Sequence, residues 1–129
     1  MNKTILSTAA LLGITAVLLG AFGAHGLKTQ LDADALQSFE TGVRYQLYHA
    51  LLLLFLGSTE YVGLNRKKSI YILALAGVLL FSGSIYGLAT DDLSAFSFKK
   101  IAFLTPVGGG LLIIAWGALL LSFLKLKNK

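Results

Sequence analysis

Two histidines, His25 and His49, are the side chains of this sequence with the most chemistry to offer. Both lie in uncharged, largely apolar runs, where a polar group is costly and so marks a place to look for function. Around His49 the spacing is informative. Gln46 and His49 are three residues apart, Tyr45 and His49 four, so on a helix all three share a face. Ser82, Ser84 and Tyr86 come late in the next apolar run, and Thr105 comes early in the last. An imidazole that titrates near neutrality can carry a proton or hold a small ligand or ion. Two histidines on separate helices can also clamp a haem or share a metal. The same residue types support an inert alternative, in which they hydrogen-bond one another between helices. The metal reading is the weakest. The chain has no cysteine, and no HxxxH or HxxE spacing accompanies either histidine.

The remaining charged and aromatic residues add little chemistry. Asp91-Asp92 reads as a solvated loop pair, and Glu40 with Arg44 as an i,i+4 ion pair near a membrane surface. Trp116 lies deep in its run and reads as packing. There is no Walker sequence, no nucleophile elbow and no pair of carboxylates inside an apolar run. The expectation is therefore no catalytic residue, no metal, no cofactor and no enzymatic activity.

Composition settles the class of element that positions these groups. Of 129 residues, 56% are hydrophobic and only 13% charged, with a mean hydropathy of +0.76. A soluble domain carries roughly a quarter of its residues as Asp, Glu, Lys and Arg. A water-soluble fold this apolar would expose patches beyond what water tolerates. Disordered, disulfide-stapled and collagen-like chains are excluded as well. An integral membrane protein remains, and membrane lipid is its first partner. The net charge of +5 and pI near 9.6 fit anionic lipid rather than nucleic acid.

Charges divide the chain into four runs. Residues 4–27, 69–90 and 101–124 hold 24, 22 and 24 residues without a charge. Each is long enough for a helix to cross the hydrocarbon core, which takes about 20 residues. The run 45–59 has only 15. It reaches spanning length over about 42–62 if Arg44 and Glu60 snorkel to the head groups; a re-entrant or interfacial segment is the alternative. The expected fold is a single all-α membrane domain over 1–129, an integral membrane four-helix up-down bundle with spans near 4–25, 42–62, 69–90 and 101–124.

The connections are short. Gly26 is a natural stop for the first helix, and Thr29-Gln-Leu-Asp32 resembles a helix start. Leu31, Leu36, Phe39 and Val43 recur at near-helical spacing beside Asp32, Asp34 and Glu40. That pattern predicts a short amphipathic interfacial helix over about 30–41, between helices 1 and 2. Residues 63–68 read as a tight turn and 91–100 as a third connection. Thr105-Pro106 either starts the fourth helix, with threonine as N-cap, or kinks a helix begun near Ile101.

With four spans, Lys3, Arg66, Lys67, Lys68, Lys125, Lys127 and Lys129 share one side, and Lys28, Arg44, Lys99 and Lys100 the other. The positive-inside rule then places both termini in the cytoplasm and the polar residues in the outer half. A cleavable signal ending near Ala21-Phe-Gly-Ala24 is the rival, but the apolar stretch exceeds a typical signal core. Gly13, Gly20, Gly83, Gly87, Gly109 and Gly117 are the expected packing positions, letting backbones approach within one bundle or between copies.

Four ordered segments carry a family resemblance. They are Gly20-Ala-Phe-Gly-Ala-His25-Gly-Leu27, Thr41-Gly-Val-Arg-Tyr-Gln-Leu-Tyr-His49, Phe81-Ser-Gly-Ser-Ile-Tyr86, and Thr105-Pro-Val-Gly-Gly109 through Trp116-Gly117. The chain resembles the small bacterial membrane proteins of domain of unknown function 423, which are similar to the eukaryotic transmembrane protein 256. The resemblance spans essentially the whole chain. It implies a four-helix, multi-pass protein of the bacterial cytoplasmic (inner) membrane and no particular activity. Two functions follow as expectations. One is a small structural or accessory subunit, with a second copy or another membrane protein as partner. The other is small-ligand or ion binding, or transport, through an outer-leaflet pocket around His25 and His49.

Overall fold

The computed structural model describes residues 2–90 and 102–126. Among them are four α-helices and no strand: α1 (Asn2–Phe22), α2 (Ala33–Ser58), α3 (Leu64–Ala89) and α4 (Leu104–Leu124). A π-helical turn, Gly23–Leu27, prolongs α1. With that turn α1 is long and apolar enough to cross a membrane, as are α3 and α4; α2 is not among them. Asp91-Asp92, Lys99-Lys100, Ile101, Lys127 and Lys129 lie outside the described residues.

Several boundaries differ from the sequence expectation. Gly26 does not stop the first helix, because no glycine takes a positive φ. Instead the chain widens into the π turn and closes through Gln30 and Leu31 amides donating to the Leu27 carbonyl at 2.9 and 3.0 Å. There is no separate interfacial helix over 30–41. Asp32 caps α2 itself, its Oδ1 accepting from the Ala35 amide at 2.7 Å, and Asp34 adds a favourable charge in the first turn. From there one helix runs to Ser58. Gly42 does not interrupt it, since a helical glycine is only mildly unfavourable and here admits a neighbour's ring. Residues 64–68, expected in a turn, form the start of α3; the turn is 59–63, where Thr59 Oγ1 accepts from the Tyr61 amide. Pro106 is the third residue of α4, inside the first turn where amides have no helical partner, so it neither starts nor kinks the helix. Thr105 is not the N-cap.

Residues that touch fix how the helices pair. Gly57 of α2 meets Leu6 of α1, Gln46 meets Leu12 and Thr15, Val43 meets Gly20, and Phe39 meets Gly23. α2 therefore lies antiparallel along the whole of α1. Gly42 against Ile85 and Tyr86 sets α2 on α3. Gly77 against Leu112, with Gly108 against Phe81, sets α3 on α4. Thr8 to Tyr71 links α1 to α3, and Trp116 to His49 links α4 to α2. α2 and α3 are thus the central pair, flanked by α1 and α4.

Two apolar clusters fill the interior. The larger includes Ile5, Leu53, Leu56, Ile70, Val78 and Leu112. The smaller, at the other end, gathers Leu27, Phe39 and Ala89 with Leu36 and Val43 against them. Large apolar side chains such as Leu11, Leu18, Ile113 and Leu120 point outward, as lipid-facing positions do.

Candidate functional site

A polar layer separates the two clusters, and α2 is its centre. Gln46, one helical turn from Gly42, is 5% exposed and reaches three ways. Its Nε2 donates to the Leu12 carbonyl at 2.9 Å and to Thr15 Oγ1 at 2.7 Å, both on α1. Its Oε1 accepts from the Tyr86 hydroxyl of α3 at 2.7 Å. One side chain thereby ties three helices together. The Tyr86 ring can approach because Gly42 has no side chain: a Cβ there would sit 2.7 Å from Tyr86 Cε1. The Phe39 ring lies tilted against the same ring at 5.1 Å. Ser82, 1% exposed, donates to the Gly42 carbonyl at 2.8 Å.

His49, one turn further along α2, is 3% exposed. Trp116 Nε1–H of α4 points at His49 Nε2, 3.1 Å away. An indole N–H only donates, so Nε2 is the accepting nitrogen. The proton of the ring then sits on Nδ1, which donates to the Tyr45 carbonyl at 2.7 Å. Both ring nitrogens are engaged in a neutral imidazole, leaving neither lone pair nor proton for a metal or a relay. Tyr45 is 39% exposed, its ring tilted on Phe81 at 4.8 Å.

The third set joins α3 to α4: Ser84 donates to the Phe81 carbonyl at 3.0 Å and shares a 2.5 Å hydrogen bond with Thr105. Thr105 also lines a cleft of about 450 Å³, formed with Asp32, Asp34, Ser38, Ile85 and Leu88. Elsewhere the layer leaves nothing over. Among the described residues, no buried side-chain nitrogen or oxygen lacks a hydrogen-bond partner.

The expected single pocket open to the outer surface is therefore not what the structure holds. Gln46, Tyr86 and Ser82 form one linked set, His49 another, Ser84 and Thr105 a third, and the smaller apolar cluster roofs the first. His25 belongs to none of them. It sits exposed on the π turn, beside Gly23, which packs on Phe39. Phe39 is ten residues before His49, about 15 Å along the helix. The two histidines are thus too far apart to hold one metal ion or haem iron between them. Among the described residues no group of three or more His, Cys, Asp and Glu is placed to hold a metal ion.

The packing glycines also redistribute. A Cβ added at Gly20 would lie 3.4 Å from Val43 and one at Gly109 3.6 Å from Phe81, and Gly87 is buried on α3. Gly13, Gly83 and Gly117 face open space: nothing among the described residues lies within 4 Å of a Cβ built there. Their helix faces point away from the described helices, which spacing alone does not reveal. The close approaches occur at Gly42, Gly57, Gly77 and Gly108 instead. At Gly108 a Cβ would meet the Phe81 amide nitrogen and the Gly77 carbonyl, so α3 and α4 touch backbone to backbone.

Two participants escaped the sequence reading, Thr15 and Trp116. The signal for Trp116 was its own N–H, which needs an acceptor when it lies within an apolar span.

Comparison with known proteins places the chain among membrane proteins. Residues 19–109 match the family described as Protein of unknown function (DUF423). A UPF0382 membrane protein of Haemophilus influenzae is 36% identical over 128 residues, covering 99% of each chain. The UPF0382 inner membrane protein YgdD of Escherichia coli K12 is 36% identical over 133 residues, covering 99% of this chain and 95% of its own. The UPF0382 membrane protein YwdK of Bacillus subtilis is 37% identical over 116 residues, covering 88% of this chain and 90% of its own. No solved structure matches the chain.

Proposed function

The chain belongs to the DUF423 family, and from that premise we propose that it is a four-span protein of the bacterial cytoplasmic membrane acting as a small, non-enzymatic structural or accessory subunit. The proposed arrangement is an up-down bundle with both termini cytoplasmic. The name of the E. coli relative supports the inner-membrane location. Antiparallel contacts along the whole of α1 support a spanning α2, because a helix that follows a membrane-crossing neighbour from Leu6 to Gly23 travels the same thickness. Lys67, which donates to Asn2 Oδ1 at 3.0 Å, brings the basic start of α3 to the start of α1, in keeping with one positively charged, cytoplasmic end.

The observation that carries the non-enzymatic reading is the saturation of the polar layer. A catalytic or transport site keeps groups in reserve for its substrate, whereas Gln46 spends its amide on α1 and α3, and His49 spends its ring nitrogens on Trp116 of α4 and the Tyr45 carbonyl of its own helix. What the molecule leaves unmatched is its outer surface, which lipid or another membrane protein covers. The test is photocrosslinking in native membranes from exposed positions on α4, such as Ile113 and Leu120. A reproducible protein adduct supports a subunit role; adducts with lipid alone count against it.

A second reading is a small-ligand site, and the cleft beside Thr105 favours it. Asp32, Asp34 and Ser38 lend it polar edges over an apolar floor of Ile85 and Leu88. Native mass spectrometry of the protein released from lipid nanodiscs separates the two readings. A discrete added mass lost on Thr105→Val supports a ligand, and a bare protein mass returns the weight to the subunit.

A further inference from the structure

We infer that α2 is a dependent span, one that enters and stays in the membrane because α1 supplies the hydrogen bonds and the small-residue surface that α2 lacks on its own. The inference rests on the four-span reading above. Of the four described helices, α2 alone is not apolar enough to cross unaided. It also carries two buried polar side chains, Gln46 and His49, and the partners of Gln46 all lie on other helices. In lipid an unpaired amide has no water to turn to. A solitary α2 would therefore hold a primary amide in hydrocarbon with nothing to bond.

α1 is shaped to receive it. Ala9 and Ala16 are each 1% exposed beneath α2, and a Cβ added at Gly20 would lie 3.4 Å from Val43 and one at Gly23 3.1 Å from Phe39. Small residues at such an interface let the backbones close in. That closeness brings the Leu12 carbonyl and the Thr15 hydroxyl within reach of Gln46. α1 precedes α2 in the chain and is apolar enough to insert first. Its surface is thus in place when α2 emerges. Partition of α2 then becomes the docking of a hairpin rather than the insertion of a lone segment.

The chain suits a direct test because its 129 residues include no cysteine. Single cysteines are placed by Gly63→Cys, where the Cβ meets nothing, and at the exposed positions Lys28→Cys and Lys125→Cys. They are labelled with a membrane-impermeant maleimide in spheroplasts and in inverted vesicles. Positions 63 and 125 share one face in the parent and position 28 takes the other. Ala9→Leu/Ala16→Leu then fills the receiving surface while making α1 more apolar. The fraction of chains with position 63 on the face of position 28 rises about five- to tenfold, the range two interhelical hydrogen bonds carry in a membrane. Adding Gln46→Leu, which removes the amide that needed a partner, restores the parent pattern. Thr15→Val, which adds no volume, gives a smaller rise in the same direction. Unchanged labelling in the α1 variants, or a rise that Gln46→Leu does not repair, overturns the inference. Positions 28 and 63 on one face in the parent would instead overturn the four-span reading itself, before any change to α1.

Discussion

The hydrogen bond between Tyr86 and Gln46 is the sharpest point at which the polar layer can be challenged. Tyr86→Phe removes one oxygen and leaves the ring on Gly42 and Phe39, so packing is unchanged. It deprives Gln46 Oε1 of its partner. Interhelical hydrogen bonds in membranes average about 0.6 kcal/mol and reach about 1.7, and this one is short, at 2.7 Å, on a glutamine only 5% exposed. The expected loss is about 1 kcal/mol. Gln46→Leu removes three bonds, yet α1 suffers little. The Leu12 carbonyl stays within α1, and the Thr15 hydroxyl also reaches the Leu11 and Leu12 carbonyls at 3.0 and 3.2 Å. The group left without its partner is the Tyr86 hydroxyl. Against a Gln46→Leu background, Tyr86→Phe should therefore be neutral or stabilising, giving a coupling of about 1 kcal/mol in a double-mutant cycle. Reversible unfolding by SDS in mixed micelles measures each corner, followed by the fluorescence of Trp116, the sole tryptophan. If Tyr86→Phe costs the same in both backgrounds, the bond does not stabilise the fold and the account of the layer fails.

Other substitutions test the rest of the structure. Gly108→Ala drives a methyl into the Phe81 amide and the Gly77 carbonyl and should cost about 1–3 kcal/mol as overpacking, whereas Gly83→Ala and Gly117→Ala, with open space around them, should be neutral in the same assay. Trp116→Phe removes the donor to His49 Nε2 and should cost about 0.6 kcal/mol, a loss followed by circular dichroism because the substitution removes the fluorophore. In the wild type, ¹⁵N NMR of the imidazole should show the proton on Nδ1; a protonated Nε2 refutes the assignment. Asp32→Ala deletes the cap on the Ala35 amide and should cost about 1 kcal/mol, with faster amide exchange confined to the first turn of α2.

Much of this architecture was legible from charge alone. Uncharged runs near spanning length located α1, α3 and α4, because the hydrocarbon thickness dictates that length. The positions of the polar residues were legible too. Gln46, Ser82, Ser84, Tyr86 and Thr105 do meet other helices, as depth and spacing implied. What they meet was not legible. Whether Gln46 faces a ligand or a carbonyl depends on helix rotation, and rotation follows from side-chain fit that a single sequence does not display. The same limit explains the glycines. GxxxG spacing marks Gly83 and Gly87 equally, but only their rotation on α3 decides that one is open and the other buried. His25 illustrates a third limit. The π turn shifts the register after Phe22 and turns that side chain outward, and nothing in Gly23-Ala-His-Gly-Leu27 announces a five-residue hydrogen-bond ring.

The polar layer has a physical purpose even without a ligand. Apolar helices in lipid are not driven together by exclusion of water, and surfaces of leucine, valine and alanine fit one another at many offsets. A slide of one turn would barely change the contacts of Leu53 or Ile70. For Gln46 it would be decisive, since the amide fits only where a free acceptor on α1 and a hydroxyl on α3 arrive at one level. His49 imposes the same demand on α4 through Trp116. Two residues on α2 thereby fix the heights of all three other helices, as a single buried polar side chain fixes register in a coiled coil. The helix least able to cross the membrane alone is in this way the one that sets the register of the others. Its polarity and its organising role have one cause, the side chains that α2 alone cannot satisfy in full.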